Sequence, residues 1–185
     1  MNETYTVLEL TRARIERRAR LDPLTGVANR RHIEALLAAA LAAPDAPAVL
    51  LLDLDRFTDI NDRRGRAAGD AVLTEVVRRV AATVPAGVEV GRWGGEEFLV
   101  IVPGAGPEPV SALAERIRAA VRAEPVQAGA EPVAGLDRRG RGGRSPSGPD
   151  ALVAEADAAL HEATHAGRDR VAGRCAAADT LPAGR

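Results

Sequence analysis

Two pairs of carboxylates hold most of the chemical potential of this 185-residue chain. Asp53 and Asp55 close an apolar run, AVLLLDLD, over residues 48–55, and Glu96 and Glu97 directly follow Gly94-Gly95. At i and i+2 of a strand, the side chains of Asp53 and Asp55 leave the same face. If the segment bearing Glu96 and Glu97 lies beside that strand, one carboxylate of each pair converges on a common spot. Clustered carboxylates repel unless a proton or a cation sits between them. Hard oxygens without thiolates favour Mg²⁺ over Zn²⁺, and Mg²⁺ held by one or two carboxylates keeps positions for substrate phosphates. The glycines let backbone approach a bulky ligand. These residue types point to metal-assisted phosphate chemistry, the alternative being a solvated acidic rim.

The elements that must position them follow from periodicity and turn chemistry. Residues 48–55 read as a strand buried on both faces. GVEVGRW and EEFLVIVP flank Gly94-Gly95 as a tight hairpin, expected to be a type I′ turn with positive φ at both glycines. Upstream, Asn29 is the expected N-cap of a helix whose apolar face is Ile33, Leu36, Leu37 and Leu41, stopping at Pro44. RFTDINDRRGRAAGD is polar and turn-rich with room for a short helix, and AVLTEVVRRVAATV (71–84) reads as an amphipathic helix. Further helices are expected in PEPVSALAERIRAAVRAEP and in DALVAEADAALHEATHAG, the latter ended by Gly167. EPVAGL (131–136) is a weaker strand candidate, DRRGRGGRSPSGPD a loop, and residues 170–172 a short terminal strand. The order β-α-β-β-α-β with extra helices predicts an α+β fold, a ferredoxin-like core with a mainly antiparallel sheet covered by helices on one face.

Composition narrows the classes. Apolar residues make up 46% but aromatics only 2%, so the core is built from Ala, Val, Leu and Ile. The net charge of -1 argues against bulk-electrostatic nucleic-acid binding and against a polybasic membrane anchor. A ferredoxin-like RNA binder is disfavoured because the stacking aromatics it would use are missing. One cysteine, Cys175, excludes a disulfide framework and a thiolate zinc site. The longest apolar run, Ala35 to Ala43, is too short for a bilayer, so a cytoplasmic protein without membrane insertion is expected. The amphipathic opening stretch, residues 1–20, is expected to be a signalling or dimerisation helix, 21–173 the domain and 174–185 a tail.

Four stretches together resemble the GGDEF family of diguanylate cyclases. RWGGEEF (92–98) resembles its name-giving motif, DPLTGVANRR (22–31) its entry motif, LDLDRFTDINDRRGRAAGD (52–70) its metal- and guanine-binding segment, and ADAALHEATHAGRDRV (156–171) its last helix and following strand. The resemblance implies a nucleotidyl-cyclase-like palm in which two GTP molecules condense to cyclic di-GMP with release of two pyrophosphates. Each domain would hold one GTP, and two copies of the chain would meet face to face. By match to the motif, Asp53 would ligate Mg²⁺ or Mn²⁺ through its side chain and Leu54 through its carbonyl. Glu96 would be a metal ligand and proton acceptor, with Glu97 a second acid. Gly94 and Gly95 would line the GTP site, Asn61 and Asp70 would bond guanine, and Arg168 would contact phosphate. An upstream sensor or a partner protein would supply the input.

Departures from the family pattern are also legible. Thr58 and Thr164 stand where the family has phosphate-contacting lysines; the chain has no Lys, all 25 basic residues being Arg. Arg66 replaces a His. PAGV (85–88) occupies the place of the inhibitory Arg-x-x-Asp, so no inhibitory product site is expected. These departures motivate a second expectation, a degenerate module that binds GTP or a protein partner and acts in signalling. The Arg-rich stretch (Arg138, Arg139, Arg141, Arg144) reads as a solvated loop. His161 and His165 read as helix surface rather than as a metal pair.

Overall fold

Strand β1 (Ala48–Asp53) is the hydrophobic axis of the molecule. Its alternate residues enter two different cores, which a half-buried strand could not do. Leu50 and Leu52 pack with Phe98, Val100 and Val102 in one cluster, and Val49 and Leu51 pack with Leu99 and Ile101 in the other. In this computed structural model the described residues are 19–45, 47–104, 106–128, 131–133, 138–142, 149–165 and 171–172.

The remaining elements, in chain order, are α1 (Arg30–Leu41), α2 (Phe57–Arg64), α3 (Arg66–Thr83), β2 (Glu89–Arg92), β3 (Glu97–Val102), α4 (Pro107–Arg122), β4 (Val126–Ala128), β5 (Glu131–Val133), β6 (Arg138–Gly142), α5 (Pro149–His165) and β7 (Val171–Ala172), with α1 preceding β1. The central sheet runs β2-β3-β1-β6-β7, antiparallel except for the parallel β6–β7 pair. This is the expected α+β, ferredoxin-like arrangement. Helices cover both faces, however, not one: α3 and α4 supply Val72, Val76, Val80, Val110 and Ile117 to the first cluster, while α1 and α5 supply Ile33, Leu37, Leu152 and Ala156 to the second. The reason is visible in β1 itself, whose unbroken apolar run leaves neither face fit for water.

Three local expectations need correction. The helix read from residue 71 begins at Arg66, because Gly65 at φ 81 breaks it from α2 and lets it start at once. Asp70 therefore lies inside α3. The Arg-rich stretch is no loop over residues 138–142: it is β6, paired with β1 from Val49↔Gly142 to Asp53↔Arg138. The free edge of β1 needs backbone partners whatever side chains they carry, so no apolar pattern announced this strand. The weak strand candidate pairs with β4 in a separate two-stranded sheet through Glu131–Val133, and residues 134–137 lie outside the described ones. Most of the opening helix (residues 1–18), Gly167 and the tail also lie outside the described residues.

The entering chain docks on the sheet. Ala28 N donates to Val90 O at 3.2 Å and Arg92 N donates to Ala28 O at 2.8 Å, so Ala28 extends the β2 edge. Asn29 caps α1 as expected, its side chain accepting from His32 N at 3.0 Å. Among the described residues no helix is long and apolar enough to cross a membrane.

Candidate functional site

The hairpin of β2 and β3 delivers the second acidic pair beside the first. Asp53, the last residue of β1, is the register partner of Glu97, the first of β3. Directly opposed residues of an antiparallel pair have Cβ atoms about 4.5–5.5 Å apart on one face, where like charges repel. Both residues are half-buried, as is Glu96 in the preceding turn. Asp55 departs from the strand-alternation expectation: β1 ends at Asp53, and Asp55 is 2% exposed in the bend that follows. Oδ1 of Asp53 and Oδ1 of Asp55 are buried, with no hydrogen-bond donor on those atoms among the described residues, although both residues make other interactions.

The Gly94-Gly95 turn is not type I′. Neither glycine has a positive φ, and pairing of β2 with β3 stops at Arg92↔Phe98. The connection is the longer Trp93–Glu96 turn, closed by Trp93 N and Gly94 N donating to Glu97 O at 2.8 and 3.2 Å. Gly94 leaves room for a side chain: a Cβ there would displace the end of the Glu97 carboxylate. The carboxylate is thus folded back over the glycine backbone, and Gly95 stays exposed with open space around it.

Two arginines hold this turn. Arg92 donates from Nη2 to Gly95 O at 2.7 Å and from Nη1 to both carboxylate oxygens of Asp22 at 3.2 Å. Burial alone would push the Asp22 carboxyl up. Hydrogen bonds from Thr25 Oγ1 (2.6 Å) and Thr25 N (2.9 Å), with the Arg92 guanidinium, outweigh it and hold the pKa below the usual value. Arg30 reaches the turn from α1, donating to Trp93 O at 2.7 Å with its guanidinium 3.7 Å over the indole. The opposite charges of Asp22 and Arg92, in two separate motifs, were a signal for the first link. Nothing in the spacing announced the second.

On the other side of Asp53 the chain turns through Arg56, at φ 58 and ψ 31 the sole non-glycine residue with positive φ among those described. That left-handed step aims α2 across α3. The two helices touch at Gly69, where a Cβ would collide with Asn61 Oδ1 and lie 3.0 Å from Phe57 Cζ. Asn61 is therefore packed against the residue before Asp70, so the two candidate guanine-binding residues are neighbours, Asn61 half-buried and Asp70 exposed. Phe57 packs in the core as expected. Leu54, buried, follows Asp53 directly. Arg168 lies outside the described residues, and of Thr164 only the helical backbone in α5 is described.

The donors gathered here are carboxylate and carbonyl oxygens, which suit Mg²⁺ or Mn²⁺. Among the described residues no three His, Cys, Asp or Glu side chains form a cage. A cation held by one or two carboxylates, a carbonyl and substrate phosphate fits such a set.

The chain is similar to known proteins along most of its length. The sequence model described as "Diguanylate cyclase, GGDEF domain" matches residues 19–170. The response regulator PleD of Caulobacter vibrioides is 37% identical over 163 residues, covering 84% of this chain and 36% of that protein. The diguanylate cyclase DgcP of Pseudomonas aeruginosa is 36% identical over 159 residues, covering 83% of this chain and 24% of that protein. The chain thus spans well under half the length of these curated relatives. Among solved structures, the coiled coil and GGDEF domain of DgcB from Caulobacter crescentus, in complex with c-di-GMP, superposes with a TM-score of 0.85 at 27% identity, over 94% of this chain and 96% of that one. The diguanylate cyclase SiaD of Pseudomonas aeruginosa, in complex with its activator SiaC, gives 0.82 at 29% identity, over 94% and 68%. With its acidic strand ends, its Gly-Gly turn and its palm-like sheet, the chain belongs to the GGDEF-domain, or diguanylate cyclase, family.

Proposed function

We propose that this chain condenses two GTP into cyclic di-GMP and two pyrophosphates, each of two copies holding one nucleotide. The observation that carries the reading is the Asp53–Glu97 register, which sets the acidic end of β1 beside the Gly94-Gly95 turn and Glu96. Asp53, the Leu54 carbonyl and Glu96 would hold Mg²⁺ or Mn²⁺, which supplies charge neutralisation to the triphosphate when bound. Asp70 accepts from the N1–H and the 2-amino group of guanine, two donors that adenine lacks, and Asn61 beside it completes the base contact. Glu96 takes the proton as the 3′-hydroxyl of one nucleotide attacks the α-phosphate of the other, with Glu97 the second acid at the site. Gly94 and Gly95 line the phosphate site, with open space at Gly95, and Arg168 adds a cation to the phosphates. Two copies face to face bring hydroxyl and phosphate together, and positioning supplies much of the rate. Residues 1–20 would act as a signalling or dimerisation helix, 21–173 as the domain and 174–185 as a tail, with the chain working in the cytoplasm under an upstream sensor or partner.

Incubation with GTP and Mg²⁺ should yield cyclic di-GMP, and Asp53→Ala should abolish it. Absence of product at high protein concentration would overturn the reading. A second reading, a module that binds GTP or a protein partner without turnover, is favoured by Thr58, exposed in the first turn of α2 where the family has Lys. Each missing charge-assisted hydrogen bond is worth roughly 1.5–3 kcal/mol. GTP binding without product, with turnover gained by Thr58→Lys plus Thr164→Lys, would select that reading.

A further inference from the structure

We propose that Arg30 is a positioning residue for the Trp93–Glu96 turn; the role rests on the cyclase reading only in its effect on turnover. A glycine pair has wide backbone freedom, so beyond the two hydrogen bonds that Trp93 N and Gly94 N give to Glu97 O, a turn built on Gly94-Gly95 gains from outside support. Its carbonyls are gripped from outside. Arg92 takes Gly95 O at 2.7 Å, and Arg30 takes Trp93 O at 2.7 Å, so a guanidinium stands at each side of Gly94.

Arg30 does more than donate one hydrogen bond. Its guanidinium lies 3.7 Å over the Trp93 ring while its Nε donates to Glu34 Oε1 at 2.6 Å, one α-helical turn further on. An exposed arginine with three simultaneous contacts is fixed in one rotamer, and only a planar fork can stack and donate in two directions at once. The side chain leaves the first residue of α1, immediately after the Asn29 cap, where the backbone is itself anchored: Asn29 N donates to Arg20 O at 2.8 Å. Trp93 is half-buried against the α1 and α5 core, so the ring is a firm platform and the turn behind it inherits that firmness. Glu96 sits three residues beyond Trp93, and displacement of reacting groups by about 1 Å is enough to cost orders of magnitude in rate.

Trp93 is the sole tryptophan of the chain, which makes its fluorescence a direct report on the turn. The experiment compares the full chain with Arg30→Met, Arg30→Lys and Glu34→Gln, reading acrylamide quenching of Trp93, the thermal midpoint, and kcat and KM for GTP with Mg²⁺. Arg30→Met should make Trp93 more readily quenched and lower kcat about tenfold while KM stays within about twofold. Arg30→Lys, which keeps the charge and guards against a misfolded Met variant, should fall between it and the wild type. Glu34→Gln, whose amide oxygen can still accept from Arg30 Nε so that all three contacts persist, should match the wild type. Wild-type quenching in Arg30→Met, or altered quenching with wild-type kcat, would overturn the proposal. If the wild type makes no cyclic product, the cyclase reading fails, and the quenching comparison alone then supports or overturns the positioning role.

Discussion

Gly69→Ala separates stability from recognition. In a helix interior, replacing Gly by Ala ordinarily adds about 1 kcal/mol of stability. Here the new methyl would meet the tip of the Asn61 side chain and approach Phe57 Cζ to 3.0 Å. Overpacking a rigid site costs about 1–3 kcal/mol. The Asn61 carboxamide can swing aside, so the cost sits at the low end and the two terms nearly cancel. Urea unfolding should therefore show a change within about 1 kcal/mol. What does not cancel is the displacement of Asn61 from beside Asp70. Losing one neutral hydrogen bond of about 1 kcal/mol, together with some misplacement of its neighbour, should weaken GTP binding about five- to tenfold by calorimetry. A variant stabilised by the full helix-propensity gain that binds GTP like the wild type would refute the packing argument and the role assigned to Asn61.

Three further outcomes follow from the same geometry. Arg92→Ala removes the partner of Asp22, in a pair only 20% and 13% exposed, together with the Gly95 carbonyl bond; the loss should be about 2–3 kcal/mol in chemical denaturation, and Arg92→Lys should not restore it. Because the Asp22 carboxyl titrates below its unfolded value, its stabilising contribution is present above about pH 4 and lost as pH falls through the folded pKa; Asp22→Asn should flatten the acid limb of thermal midpoint against pH, and an unchanged limb would refute the linkage. Arg56→Gly, at φ 58, should keep or raise the thermal midpoint, whereas Arg56→Val should destabilise by about 1–2 kcal/mol; a Val variant as stable as wild type would contradict the left-handed assignment.

How far the sequence could be read depends on what each residue signals. The apolar run of β1 announced burial on both faces, and that pattern already contained the two-sided helix cover that the β-α-β-β-α-β order alone did not suggest. The Asn29 cap and the Ile33/Leu37 face were legible because capping and helical spacing are local. The meeting of Asp53 with Glu97 was legible because adjacent strands end side by side, whereas strand alternation misplaced Asp55, which lies beyond the end of β1. The turn conformation was misread because Gly-Gly has two uses, positive φ and lack of a Cβ, and at Gly94 the second applies. Strand β6 was invisible because its pairing is backbone to backbone, with arginines and glycines where a strand pattern wants β-branched residues. The Arg30–Trp93 stack, 63 residues apart, is a tertiary fact with no periodic signature.

Ala28 has a consequence beyond directing the chain into α1. By occupying backbone groups along the outer rim of β2, it blunts a surface that would otherwise recruit strands from other molecules. A version of the protein shortened to begin at Asn29 would uncover that rim. It would then tend to self-associate and precipitate along that rim, and it would also have lost Asp22, the partner of Arg92 beside the Gly94-Gly95 turn.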